Sequence, residues 1–287
     1  MTGKSAYVLK SSGIHVPSRP VLHCNEVYEE ATFDVLRQMQ GRHFWYQGRH
    51  RFLIRALKEE LRHWPRVTSL CAVDLGGGCG GWISYLASRC GSGFNELALA
   101  DSSLRALEFA GLVIPESVSR YQIDLYSLGW ENKWDVAFLL DVLEHLPEDA
   151  RVLQEIQRAL RPGGLLFVTA PALKLFWSYN DEIVHHLRRY EQKDFLRLGT
   201  ESGLVLKKSR YFMFLLSPLL WLSRRKRLDR KEMTPEQVQT LLARTHRVPI
   251  SPLNGLLKFI FALETPLGLW LPFPWGTSIL GVFQKRV

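Results

Sequence analysis

Between Val73 and Gly81 the chain reads Val-Asp-Leu-Gly-Gly-Gly-Cys-Gly-Gly, closing an apolar stretch (Leu70 to Val73) and opening a helical one (Trp82 to Ser88). Glycines let such a turn pass close to a ligand and reach backbone angles that a Cβ forbids, while the following helix offers unpaired N–H groups to polar ligand atoms. That is the chemistry of a nucleotide-type pocket. Carboxylates stand where the pocket needs them. The segment Glu96 to Ala100 ends at Asp101, about 20 residues past the last glycine, where a carboxylate grips ribose hydroxyls. Arg120 to Ile123 ends in Asp124, and Trp134 to Leu140 ends in Asp141. As parallel strands, all of these would bring their Asp to the carboxyl edge of the sheet, where such sheets bind ligands.

The glycine run fits two patterns. Asp74, Gly76, Gly78 and Gly80 give Asp-x-Gly-x-Gly-x-Gly, suited to S-adenosylmethionine, whereas Gly76, Gly78 and Gly81 give Gly-x-Gly-x-x-Gly, suited to a dinucleotide. The residues downstream discriminate between them. After Asp141 come Val142-Leu143-Glu144-His145-Leu146-Pro147, an amphipathic helix through Leu160, the turn Arg161-Pro162-Gly163-Gly164 and a strand from Leu165 to Thr169. The phrases DLGGGCG (74 to 80), LALAD (97 to 101), LLDVLEHL (139 to 146) and LRPGGLLFVTAP (160 to 171) resemble the class I S-adenosylmethionine-dependent methyltransferases, in the family's order. The resemblance runs over roughly residues 40 to 211 and returns for a last strand near the C-terminus. A Tyr-x-x-x-Lys pair, the catalytic couple of short-chain dehydrogenases, is absent. Asp74 and Asp101 lie 27 residues apart, a few more than is usual for the family, with Cys90 to Asn95 as the enlarged loop.

The resemblance implies an α/β fold: a Rossmann-like, doubly wound, seven-stranded sheet, mostly parallel with the last strand antiparallel. It divides the chain into an N-terminal arm and helical lid (1–64), a core (65–211 and 276–287) and an apolar helical insertion between strands six and seven (212–275). Expected cofactor contacts are Asp74, Gly76, Gly78, Gly80, Asp101, Ser102, Asp124, Leu125 and Asp141. Tyr46 and Arg49, in the phrase Arg42-His43-Phe44-Trp45-Tyr46-Gln47-Gly48-Arg49, would close the pocket, with Arg49 suited to the cofactor's carboxylate. Asp124 is expected at the adenine amino group. Residues 1 to 20 show no periodicity and read as a loose arm or part of the lid.

Methyl transfer from a sulfonium is an in-line displacement, so the protein must hold the acceptor near attack distance and exclude water. A base matters when the acceptor is a hydroxyl or an ammonium, and His has a pKa suited to that task. His145, after the fourth core strand, faces the edge where the methyl group points. A second group follows the fifth: Tyr179, Asp181 and the adjacent His185 and His186 within Trp177-Ser178…Asp181-Glu182…His185-His186-Leu187-Arg188-Arg189-Tyr190. Asp181 and His185, at i, i+4 spacing, could share a helical face and orient an imidazole or hold a metal. Adjacent histidines point in different directions on a helix, so one of the two acts at most. A structural role in capping and salt bridges is the competing reading of this phrase, which looks like the signature of a bacterial subgroup. No resident metal is expected.

The chain has 287 residues, 46% of them hydrophobic, and a net charge of +9. Cys24, Cys71, Cys79 and Cys90 lack metal-ligand spacing and read as reduced, which with an N-terminus lacking an apolar signal core leads to the expectation of a cytoplasmic protein. The basic charge accompanies no nucleic-acid motif, so nucleic acid is not the expected partner. Tyr211 to Leu222 carries no charge and precedes Arg224-Arg225-Lys226-Arg227 and Arg230-Lys231. Those 12 residues would span roughly 18 Å as a helix, short of the roughly 30 Å hydrocarbon core. Thr265 to Gln284 is also uncharged, but Pro266, Pro272 and Pro274 would break a spanning helix. The insertion therefore reads as an apolar lid or as a peripheral dock on an anionic membrane at its inner face, and both favour a lipophilic small-molecule acceptor. A nicotinamide-dependent oxidoreductase and a non-catalytic cofactor-binding protein are the alternatives. The oligomeric state is not legible.

Overall fold

The computed structural model describes residues 7–22, 37, 39–62, 64, 69–223 and 247–287. Its centre is the strand β3 (Leu70–Leu75), whose six side chains are all buried. Around it lie β4 (Phe94–Asp101), β5 (Val118–Gln122), β6 (Trp134–Leu140), β7 (Leu160–Pro171), β8 (Leu204–Phe212) and β9 (Ser278–Lys285). With β1 (Tyr7–Leu9) and β2 (Ile14–Pro17) they form one sheet in the order β1-β2-β5-β4-β3-β6-β7-β9-β8. The seven from β5 to β8 are parallel except for β9, which runs antiparallel to β7 and β8.

The sheet has nine described strands, not the expected seven. The extra two come from the N-terminal segment, which forms a hairpin with β2 parallel to β5. The segment is therefore not a loose arm. Tyr7 supplies the reason, since it is too isolated to create a sequence period yet buries its ring against Tyr121 and Trp130 and donates to the Leu128 carbonyl at 2.6 Å.

Both faces of the sheet are covered. On one side Leu139, Val168 and Phe283 pack with Val152, Leu153 and Phe195 of α4 (Asp149–Ala159) and α6 (Gln192–Ser202). On the other, Phe138, Phe167 and Leu280 share a core with α1 (Phe44–Leu61), α2 (Gly81–Cys90), α3 (Leu104–Ala110) and α8 (Ser251–Trp270). Alternate residues of one strand thus enter opposite cores, as expected of a sheet buried on both faces.

Between β8 and β9 the described residues form α7 (Ser217–Ser223) and α8. The uncharged run 211–222 is therefore part strand and part short helix. Pro266 lies inside α8, which continues to Trp270, so it does not end the helix as its sequence position suggests. α8 crosses α1 closely: a Cβ on Gly48 would stand 1.9 Å from the Phe261 ring. Asn254 of α8 accepts from the Phe44 N–H at 2.9 Å and donates to the Arg42 carbonyl at 2.9 Å, satisfying backbone groups at the start of α1. Buried Glu264 accepts from the Leu215 N–H at 2.9 Å and so fixes the chain where it leaves β8. No helix among the described residues is long and apolar enough to cross a membrane. The basic cluster Arg224 to Arg227 with Arg230 and Lys231, and Cys24, lie outside the described residues.

Candidate active site

The turn after β3 folds back over the end of β4, with the Gly76 N–H donating to the Ala100 carbonyl at 2.7 Å. Gly76, Gly78 and Gly80 have φ of 68°, 55° and 78°, the left-handed region that favours glycine. At Gly77 space is decisive instead, because a Cβ would lie 2.4 Å from Asp74 Oδ2. Asp74 is buried, and neither carboxylate oxygen has a hydrogen-bond partner among the described residues. Burial pushes its carboxyl up to about 7, opposed by Arg49 and reinforced by Asp101. Asp101 accepts from the Gly78 N–H at 2.8 Å and the Ser103 N–H at 2.9 Å, and burial raises its pKa against the pull of those backbone donors. Asp124 accepts from the N–H groups of Tyr126 (2.9 Å) and Leu22 (3.0 Å), and the Ser102 carbonyl accepts from Gln122 at 3.1 Å. These residues share the carboxyl edge of β3, β4 and β5. Leu125 differs from expectation, since its side chain is buried in the core and leaves only backbone to a ligand.

Along the same edge, above β6 and β7, lies a cavity of about 260 Å³. Met39, Phe44, Trp45, Met213 and Leu220 give its lining apolar surface, and Asp141, Glu144, His145, Asp181, His186 and Arg189 give it polar groups. Tyr46 also lines it. Arg49 is not held ready for a cofactor carboxylate. It forms an ion pair with Asp141 and stacks over the rings of Trp45 and Tyr46, its carbon at 4.7 and 5.3 Å from their centroids. Asp141, with φ of 57°, also accepts from Thr169 Oγ1 at 3.1 Å, so it ties α1 to the strand ends on the acceptor side rather than standing open to the cofactor.

His145 ends the helical turn Leu143–His145, and its ring meets that of His186 edge-on at 4.8 Å. Burial, then the neighbouring His186, push its pKa down to about 4. It is neutral at pH 7, and weaker as a base than its residue type suggests. Glu144 is buried, and burial together with the Asp141 charge raises its pKa well above the carboxylate range.

The expected pairing of Asp181 with His185 does not form. The helix α5 (Tyr179–Ile183) stops short of it, and His185, with φ of 59°, is exposed. His186 turns inward instead, its Nδ1 lying 2.9 Å from Asp181 Oδ1. Tyr179 opens α5 and does not line the cavity, whereas the next residue, Asn180, does. The rest of the phrase is a clamp. Arg189 holds Asp181 through Nε (2.8 Å) and Nη2 (3.0 Å), while Arg188, Arg197 and the Tyr190 hydroxyl converge on buried Asp149 at 3.2, 3.1 and 3.1 Å. Burial would raise the Asp181 pKa, but His186 and Arg189 hold it down to about 2. Capping box and clamp thus fix the loop that carries His186. Glu144 and Arg189 belong to the site although residue type and spacing alone do not single them out. Glu144 adjoins His145 and Arg189 follows His186 by three residues, and that clustering of acid and base is the signal that could have found them.

The strand order, the glycine turn and Asp101 after the adjoining strand form the Rossmann-like fold of the class I S-adenosylmethionine-dependent methyltransferases. Residues 73–168 match the family model of a methyltransferase domain. Over 135 residues the chain is 33% identical to a trans-aconitate 2-methyltransferase of Azoarcus sp. (strain BH72), covering 47% of this chain and 50% of that protein. Over 93 residues it is 29% identical to a ubiquinone biosynthesis O-methyltransferase of Colwellia psychrerythraea, covering 31% and 38%. The chain thus spans half or less of the length of these two relatives. The fold is shared with Haemonchus contortus phosphoethanolamine N-methyltransferase 2 in complex with S-adenosylmethionine, at a TM-score of 0.58 and 17% identity over 92% of this chain and 59% of that one. It is also shared with a chain of the Haloferax volcanii complex between the Trm112 methyltransferase activator and a methyltransferase, at a TM-score of 0.56 and 15% identity over 90% and 96%. The residues present fit the cofactor. A buried unpartnered carboxylate at Asp74 and a turn at Gly77 with no room for a Cβ make a cradle for a polar ligand approaching backbone.

Proposed function

We propose that this chain transfers a methyl group from S-adenosylmethionine to a small amphipathic acceptor with an apolar body and a hydroxyl at its reacting end. The observation that carries this reading is the cavity along the same sheet edge as the glycine turn, whose lining combines apolar Trp45, Met213 and Leu220 with polar His145 and His186. The bound cofactor supplies an activated methyl group on a sulfonium. The chain's own residues hold the acceptor and keep water out. Neutral His145 offers a lone pair to the acceptor's hydroxyl, and the Arg49–Asp141 pair locks the start of α1 over the pocket. An oxygen acceptor is supported by the relative named for O-methyl transfer in ubiquinone biosynthesis. The nicotinamide alternative finds no support in the family match.

The test is incubation with S-adenosylmethionine and fractionated cell extract, followed by mass spectrometry. Formation of S-adenosylhomocysteine together with a lipophilic component heavier by one CH₂ is the expected result; failure of both products to form sinks the reading. A peripheral membrane role is favoured by Leu253, Leu256, Phe259, Leu263 and Leu267 of α8, all exposed. Sedimentation with anionic vesicles at low and high salt tests it, and no binding at either salt removes the membrane from the account.

A further inference from the structure

Among the carboxylates that line the cavity, one forms no ion pair with a Lys or Arg of the described residues. Asp141 pairs with Arg49 and Asp181 with Arg189, but buried Glu144 has no such partner among the described residues. Among the described residues its Oε2 accepts no hydrogen bond, and the ion-pair contact of Oε1 is His186 Nε2 at 3.8 Å. His186 is oriented for that approach. Asp181 occupies its Nδ1, which leaves the Nε2 lone pair directed at Glu144. His145 stands against the same ring, and one donor atom each of Glu144, His145 and His186 lie within 4.8 Å of one another. Donor atoms that converge in this way are held together by something positive between them, a proton on Glu144 or a metal cation.

We propose that Glu144, His145 and His186 bind a divalent transition-metal cation in the acceptor cavity. One carboxylate oxygen and two imidazole nitrogens are a ligand set for zinc and its neighbours, and ligands about 2.0–2.2 Å from such an ion require only a modest inward closure of these side chains. Asp181 completes the site as the carboxylate that fixes the tautomer and direction of a ligating histidine. Three protein ligands leave coordination positions open toward the cavity. An acceptor oxygen fits there, and this consequence rests on the methyl-transfer reading, whereas the site itself does not. Spacing in the sequence does not reveal this ligand set because its donors come from two loops, His145 and His186 being 41 residues apart.

The experiment uses the full chain after dialysis against a chelator. Titration with Co²⁺, followed through its visible d–d absorption and competed with Zn²⁺, should give one equivalent per chain at micromolar concentration. Glu144→Gln, His145→Ala and His186→Ala should each weaken binding by roughly tenfold or more, and His185→Ala, adjacent but exposed, should leave it unchanged. Saturating Zn²⁺ should raise the Tm of the unmodified chain, a measurement that does not depend on any variant folding. Absence of a Co²⁺ spectrum and of a Tm rise overturns the site, as does binding that survives both Glu144→Gln and His186→Ala. Intact metal binding with no turnover on any extract would remove the methyl-transfer reading and leave the site standing; turnover by the metal-free chain would overturn the placing of the acceptor oxygen on the metal.

Discussion

The two halves of the sheet's carboxyl edge are built by different means. Around β3, β4 and β5 the ligand-facing surface is largely backbone: three glycines at positive φ, N–H groups held by Asp101, and a turn pinned to the Ala100 carbonyl. Its parts lie within one stretch of chain, from Asp74 to Asp124. Around β6 and β7 the surface is side chains gathered from separated segments: Phe44 to Tyr46, Asp141 to His145, Asn180 to Arg189, Met213, Leu220 and Thr277. A backbone cradle tolerates little change in shape but serves many proteins that share a ligand. A side-chain chamber can be rebuilt residue by residue, which suits the half that must choose an acceptor.

If the halves are separable, damage to one should spare the other. The largest effect is expected from Gly76→Val, which demands an unfavourable φ and places a Cβ 2.7 Å from Val142 Cγ2. Displacing the turn should weaken S-adenosylmethionine binding by roughly 10²-fold in calorimetry while the melting transition persists. A variant that binds the cofactor normally would show that the backbone shape is not what holds it.

His186→Ala addresses the other half. Turnover should fall by roughly 10²-fold with cofactor affinity essentially unchanged. Loss of cofactor affinity along with turnover would mean that the two halves are energetically one site, and the comparison would fail.

The same contrast explains what was legible in the sequence. Cofactor-half residues announce themselves because glycine and aspartate at fixed offsets around a strand end are required by local geometry, so Asp74, Gly76 and Asp101 could be read together. The acceptor half depends on tertiary placement. Asp181 and His185 have helical spacing, but α5 ends at Ile183, and a residue at positive φ sends His186 inward in place of His185. Arg49 has the right chemistry for a carboxylate, yet Asp141 reaches it first from 92 positions away. Neither outcome is encoded in a local period. The N-terminal hairpin is hidden for a related reason, because strands of three and four residues are too short to establish alternation.

A smaller effect should come from Asp101→Ala. Its carboxylate already holds the Gly78 N–H, so removal loosens the turn as well as the expected ribose contact. A roughly tenfold or greater rise in the Kd for S-adenosylmethionine is expected from a lost charge-assisted hydrogen bond. Unchanged affinity in a folded variant would assign Asp101 to the turn alone.

The last effect is read in stability rather than in affinity or turnover and concerns Asp74, which belongs to the cofactor half by position but carries a cost in the unliganded chain. In the unfolded chain it ionises near its ordinary 3.8, and in the folded chain burial pushes it up to about 7, with Arg49 opposing and Asp101 adding to the shift. Between those values the folded chain holds a proton that the unfolded chain has released, so stability contributed by this group falls as pH rises from about 4 to about 7 and then levels. Asp74→Asn keeps the shape and cannot ionise. Melting curves of the two chains should therefore diverge through that window, with the Asn variant melting higher by several degrees at pH 8 in the absence of cofactor. Parallel curves from pH 4 to 8 would show that the buried carboxylate is stabilised in its charged form, and that the turn around Gly77 accommodates it without a ligand.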